Sequence, residues 1–156
     1  MNEKTYKVLE YDRIKELLGN EAASVMTKKL ITELLPSVNE YEIRESIAET
    51  TEAVTVIMHK GALPLGGFYD IGSWVSLAEK GGTLTMKQLL EVLYNLHAAQ
   101  HAATFLKNDI PPLKRTDELS SLLNLQKEIA GEIDRCIVSE DEMADGASSE
   151  LRSIRR

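Results

Sequence analysis

Thr85-Met86-Lys87-Gln88-Leu89-Leu90 is the stretch whose reading decides how this chain folds. A Thr followed three residues later by Gln is a capping box. The hydroxyl can accept from the Gln88 backbone N–H, and the Gln88 side chain can reach back to the N–H of Thr85. Met86, Leu89, Leu90, Leu93, Leu96, Ala103 and Leu106 then recur at helical spacing, so the longest helix should run from here to about Lys107. Pro111-Pro112 closes the segment, because proline restricts the residue before it.

Toward the N-terminus, Trp74, Val75, Leu77 and Ala78 suggest a short helix stopped by Gly81-Gly82. Residues 61–73 hold four glycines and Pro64, interleaved with Leu63, Leu65, Phe68, Tyr69 and Ile71, which predicts a loop packed down on the fold. Asn39 is an N-cap candidate ahead of Glu40 and Glu42, and Ile43, Ile47, Val54, Ile57 and Met58 mark a long amphipathic face ending at Gly61. The opposite face should be acidic and solvated. Val8, Leu9, Ile14, Leu17 and Leu18 predict one helix ended at Gly19; Asn20 would then cap a second, with Val25, Met26, Leu30 and Leu34 as its stripe and Pro36 as its stop. The two should form a hairpin.

Toward the C-terminus, Thr116 followed by Asp117 and Glu118 should start a helix continuing through Leu119, Leu122, Leu123, Ile129 and Ile133 to about Arg135. A short irregular or hairpin-like stretch is expected at residues 136–147. Ser148 then caps a helix with Glu150 against its dipole and Leu151 and Ile154 beginning a stripe. A natural terminus is not expected so soon after a helix start, so the sequence should continue beyond Arg156. The whole reads as an all-α helical bundle, one domain over 1–156.

The 156 residues are 43% hydrophobic and 28% charged, the balance of a globular domain. Acidic residues outnumber basic ones 25 to 18, a net charge of −7 that repels phosphate backbones and presents no broad basic face. Cys136 is the single cysteine, which excludes an internal disulfide and fits a reducing, cytoplasmic setting. No apolar run suits an export signal or a membrane span.

Candidate chemistry is sparse, and the expected catalytic, cofactor-binding and metal-ligating residues are none. Gly66-Gly67 and Gly81-Gly82 lack the Lys and the preceding strand of a phosphate-binding loop, so turns explain them. His97 and His101 stand one helical turn apart, as zinc helices require. Residue 98 is Ala where a metalloprotease helix needs its Glu base, and His59 is the one further histidine available. Glu42, Glu45, Glu49 and Glu52 read as a solvated helix face rather than an acid–base pair. Cys136, between Ile133 and Ile137, reads as core. Phe68, Tyr69 and Trp74 lack neighbouring Lys or Arg, so a packed aromatic cluster is expected rather than a base-stacking surface.

Three stretches carry a resemblance. The opening Thr5-Tyr6-Lys7-Val8-Leu9-Glu10-Tyr11-Asp12-Arg13-Ile14, with Ala23-Ser24 after it, is similar to the start of the second bacterial MutS family, the endonuclease MutS two family. Leu63-Pro64-Leu65-Gly66-Gly67, running into Asp70-Ile71 and then Ala78-Glu79-Lys80-Gly81-Gly82, is the second. Asp145-Gly146-Ala147-Ser148-Ser149-Glu150-Leu151 with Ile154-Arg155-Arg156 resembles the family's Asp-x-Ala-Ser-Pro-Glu-Leu-x-x-Ile-Arg at the start of its lever helix. Ser149 stands where the family has Pro, and Ser139 to Met143 lacks the family's turn glycine.

The resemblance implies the N-terminal part of a MutS-type core domain, with 148–156 as the start of the lever. It further implies a cytoplasmic homodimer with a later ATPase, using ATP and Mg, and a C-terminal nuclease domain. Its partners would be the rest of its own chain, a second subunit, branched DNA in recombination suppression, and the ribosome and its rRNA in quality control. The family's ATP-binding and nuclease residues would lie beyond residue 156, which makes this stretch a non-catalytic connector binding nucleic acid weakly or not at all, and no membrane. The rival readings are a free-standing helical interaction adaptor and a small His-dependent metalloenzyme.

Overall fold

The computed structural model describes residues 3–107 and 113–155. Among them the chain forms nine helices: α1 Glu3–Val8, α2 Tyr11–Glu21, α3 Val25–Glu33, α4 Glu40–Lys60, α5 Gly72–Glu79, α6 Met86–Leu106, α7 Lys114–Ser121, α8 Lys127–Cys136 and α9 Ser149–Ile154. The one β-type pairing among these residues is an isolated antiparallel bridge, Ile137 with Met143, inside the stretch expected to be hairpin-like. The fold is all-α.

Local chemistry sets most boundaries as expected. Thr85 Oγ1 accepts from Gln88 N–H at 3.3 Å and Gln88 Oε1 accepts from Thr85 N–H at 2.8 Å, completing the capping box of α6. Asn39 Oδ1 accepts from Tyr41 N–H at 3.0 Å to open α4, and Gly61, at φ 82°, donates to Ile57 O at 2.8 Å to close it. Ser148 Oγ accepts from Leu151 N–H at 3.1 Å to start α9.

Four boundaries or faces differ from the sequence reading. The first expected helix is two, because Glu10 adopts the left-handed conformation at φ 52° and breaks the run after Leu9. Gly19 does not end α2, which continues to Glu21, and Asn20 does not cap α3. That role falls to Ser24, whose hydroxyl accepts from Thr27 N–H at 3.1 Å. The expected helix from Thr116 to Arg135 is α7 and α8. Ser121 Oγ bonds back to Glu118 O at 2.6 Å at the end of α7, a local alternative that competes with continued helix, and residues 122–126 form the connection. Pro111 and Pro112 lie outside the described residues, as does Arg156.

The fourth difference concerns α4. Its apolar stripe faces out, with Ile47 61% and Met58 80% exposed, while Val56 is its buried residue. Glu52, read as solvated, has a side chain only 14% exposed.

Two compact units divide the chain, Met1–Thr51 and Glu52–Arg156. In the first, α2 and α3 pack side by side as the expected hairpin. Tyr11 donates to Leu34 O at 3.3 Å, and Lys15 reaches Thr32 O at 3.2 Å across it. No described residue of this unit is buried. The second unit holds the core: Leu90 and Leu93 of α6 pack with Ala130 and Ile133 of α8 and with Ile137, and Cys136 lies partly buried against them, as expected. Burying each such Leu or Ile side chain contributes about 1.5–3 kcal/mol.

Candidate functional site

The glycine pairs serve the backbone. Gly67, at φ 87°, would place a side chain 3.7 Å from Ala98 Cβ, so this turn lies close on α6. Tyr69 N–H donates to Asn95 Oδ1 at 3.2 Å, and the Tyr69 and Tyr94 ring centroids are 5.8 Å apart. Gly81, at φ 77°, donates to Ala78 O at 2.9 Å, and Gly82 donates to Leu77 O at 2.9 Å, which terminates α5. The aromatic cluster expected from Phe68, Tyr69 and Trp74 takes a different form: Tyr69 pairs with Tyr94, and Trp74 Nε1 donates to Glu91 Oε2 at 2.8 Å.

His97 and His101 both lie exposed on α6, while His59 sits on α4 with Nδ1 2.8 Å from Thr55 O. Among the described residues no group of three or more His, Cys, Asp or Glu side chains converges in a way that could hold a metal ion. Cys136 Sγ donates weakly to Ala147 O at 3.9 Å.

The four glutamates of α4 have separate duties. Glu42 accepts from Ser37 Oγ at 2.6 Å and Asn39 Nδ2 at 3.1 Å, tying the entry to the helix. Glu52 Oε2 accepts from the Thr116 backbone N–H at 2.9 Å and from the Thr116 hydroxyl at 3.1 Å, while Arg115 Nη1 lies 3.4 Å from its Oε1. The Thr116 N–H, more than the hydrogen bonds from Arg115, holds this carboxyl below the usual carboxylate range. A general acid needs the opposite shift.

Sequence reasoning missed this contact and its counterpart. The N-cap of α7 is Leu113, which has no side-chain oxygen to offer, so a carboxylate from α4 takes over. Eight residues along α4, Lys60 Nζ donates to Phe105 O at 2.8 Å and Lys107 O at 2.9 Å, capping the end of α6. Acid meets a helix N-terminus and base meets a C-terminus, as helix dipoles favour. The sequence reading started this helix at Thr116; it starts instead at Lys114 after Leu113, so nothing in the sequence marked the missing cap.

The arginines near α9 are likewise occupied. Arg155 Nη1 donates to Met143 O at 2.9 Å and to Asp145 Oδ1 at 2.7 Å. Arg135 donates to Gly146 O at 3.0 Å and pairs with Glu132 at 2.7 Å, a bond that holds the Glu132 carboxyl below its ordinary range. Together they fix the loop that delivers Ser148 to its capping position. The contacts described above are caps, turns and loop anchors. No helix among the described residues is long and apolar enough to cross a membrane.

No protein-family model matches the chain. Endonuclease MutS2 of Clostridium botulinum (strain Eklund 17B / Type B) is 41% identical over 158 residues, covering 100% of this chain and 20% of that protein. Endonuclease MutS2 of Alkaliphilus oremlandii (strain OhILAs) is 37% identical over 161 residues, and that of Clostridium beijerinckii (strain ATCC 51743 / NCIMB 8052) is 38% identical over 158, with the same coverage of 100% and 20%. The chain spans about one fifth of the length of the curated relatives it matches. Identity of this level across every element from α1 to α9 makes the chain a member of the endonuclease MutS2 family.

Proposed function

We propose that this chain is a helical connector, the N-terminal part of the core of a longer MutS2-type polypeptide whose ATPase and nuclease activities reside elsewhere. One observation carries the reading. The unit Met1–Thr51 has apolar side chains on both helices of its hairpin, yet Leu17 is 53%, Val25 83%, Met26 53% and Leu30 64% exposed, and none of its described residues is buried. Large apolar side chains left exposed in this number on one hairpin are what an interface requires. The relatives are five times longer, and their remaining length is the source of a cover.

In this reading α9 begins the lever, anchored by Arg135 and Arg155 through the loop before Ser148. A nucleotide-dependent movement of the ATPase would reach branched DNA or a collided ribosome through these packed helices, in a cytoplasmic homodimer. The stretch itself does no chemistry and holds no cofactor; ATP and Mg belong to the later ATPase. Its net charge of −7 and the pairing of Arg155 with Asp145 leave little to release counterions from phosphates. A fluorescence-anisotropy titration with branched DNA and structured RNA at about 0.15 M salt tests this. Weak or absent binding is expected, and submicromolar affinity of the 156-residue chain would show that its own surface reads nucleic acid.

A further inference from the structure

Helix α7 is attached differently from the helices beside it. None of its residues is buried, and Leu119 is 60% exposed. The buried cluster of the second unit draws on α6, α8 and Ile137 and takes no residue from α7. What α7 has instead is the Glu52 carboxylate: the Thr116 N–H at 2.9 Å, the Thr116 hydroxyl at 3.1 Å and the Arg115 guanidinium at 3.4 Å all converge on it. Lys114 and Glu118, the charges beside them on the same helix, pair with each other at 4.0 Å.

We infer that α7 is a strap latched to α4 by Glu52, able to lift from the second unit while α6 and α8 stay packed. Opening it withdraws no buried residue of its own, whereas separating α6 from α8 would expose Leu90, Leu93 and Ile133. Segments with little burial open at lower free energy than the core they lie on. The polar contacts at Glu52 therefore set how often the strap lifts. Lifting uncovers the carboxylate and the flank of α6 against which α7 rests.

Hydrogen exchange followed by mass spectrometry on the 156-residue chain tests the latch, comparing the wild type with Glu52→Ala. The amides of 114–121 are expected to exchange faster by on the order of tenfold in the variant, with those of 86–106 and 127–136 unchanged. Unchanged exchange in 114–121, or an equal loss of protection in α6 and α8, would overturn the strap. If the variant does not fold, the wild type decides. Exchange of 114–121 that depends less on added urea than that of 127–136 supports independent lifting, and a single shared dependence contradicts it.

Discussion

Glu52 and Thr116, 64 residues apart, are joined by two hydrogen bonds to a single carboxylate oxygen, one from the backbone N–H at 2.9 Å and one from the hydroxyl at 3.1 Å. The contact replaces the capping side chain that Leu113 lacks, and it makes the start of α7 depend on a residue of α4.

A pH dependence follows from that contact. Folding lowers the Glu52 pKa below its ordinary 4.5, chiefly through the Thr116 N–H. The stability it contributes is therefore fully present above pH 4.5 and is lost as pH falls through the depressed folded value. Melting temperatures of the wild type and Glu52→Gln, measured from neutral pH downward, should differ most near neutrality and converge in acid. A gap that stays constant as pH falls would show that the carboxylate charge is not what Thr116 and Arg115 recognise.

The start of α3 gives a second test. Ser24→Ala removes the oxygen that accepts from Thr27 N–H and should destabilise the chain by about 0.5–2 kcal/mol. Asn20→Ala, within α2, should stay within about 0.5 kcal/mol of wild type, since its side chain caps nothing and Ala is the better helix former. Urea denaturation of the two variants separates the alternatives. A larger loss for Asn20→Ala would restore Asn20 as the cap.

What could be read in advance was the chemistry that acts over three or four residues. The Thr85–Gln88 box, the Asn39 and Ser148 caps and the Gly61 and Gly81 stops are local, so their residue types announce them. The break at Glu10 was hidden, because a left-handed glutamate carries no mark in sequence that glycine or asparagine would have carried. Glu52 and Lys60 were also hidden: their partners lie 64 and 45 residues away, and on helical spacing alone Glu52 belongs with the solvated glutamates. The outward stripe of α4 was misread for a related reason. Periodicity shows that an apolar face exists, but which neighbour covers it is a tertiary matter.

The turn after α5 supplies a third prediction. A Cβ on Gly82 would overlap the Leu77 side chain, with Cγ at 2.7 Å, and would stand 3.0 Å from Leu77 O. Gly82→Ala should therefore lower stability by about 1–3 kcal/mol, read as a lower thermal midpoint with the helical circular-dichroism spectrum kept at low temperature. An unchanged midpoint would mean that Leu77 yields at no cost.

In the proposed reading the apolar hairpin of Met1–Thr51 is a docking face of a connector and not the surface of a finished domain. Hydrogen exchange over α2 and α3 tests this, run on the 156-residue chain alone and on the same chain grafted in place of the matching N-terminal fifth of a full-length MutS2 relative. Residues 11–33 are expected to exchange rapidly in the chain alone and to become strongly protected in the longer polypeptide, while α6 and α8 are protected in both. Equal, slow exchange of residues 11–33 in both would contradict it, because the hairpin would then be stable with its apolar faces open to water.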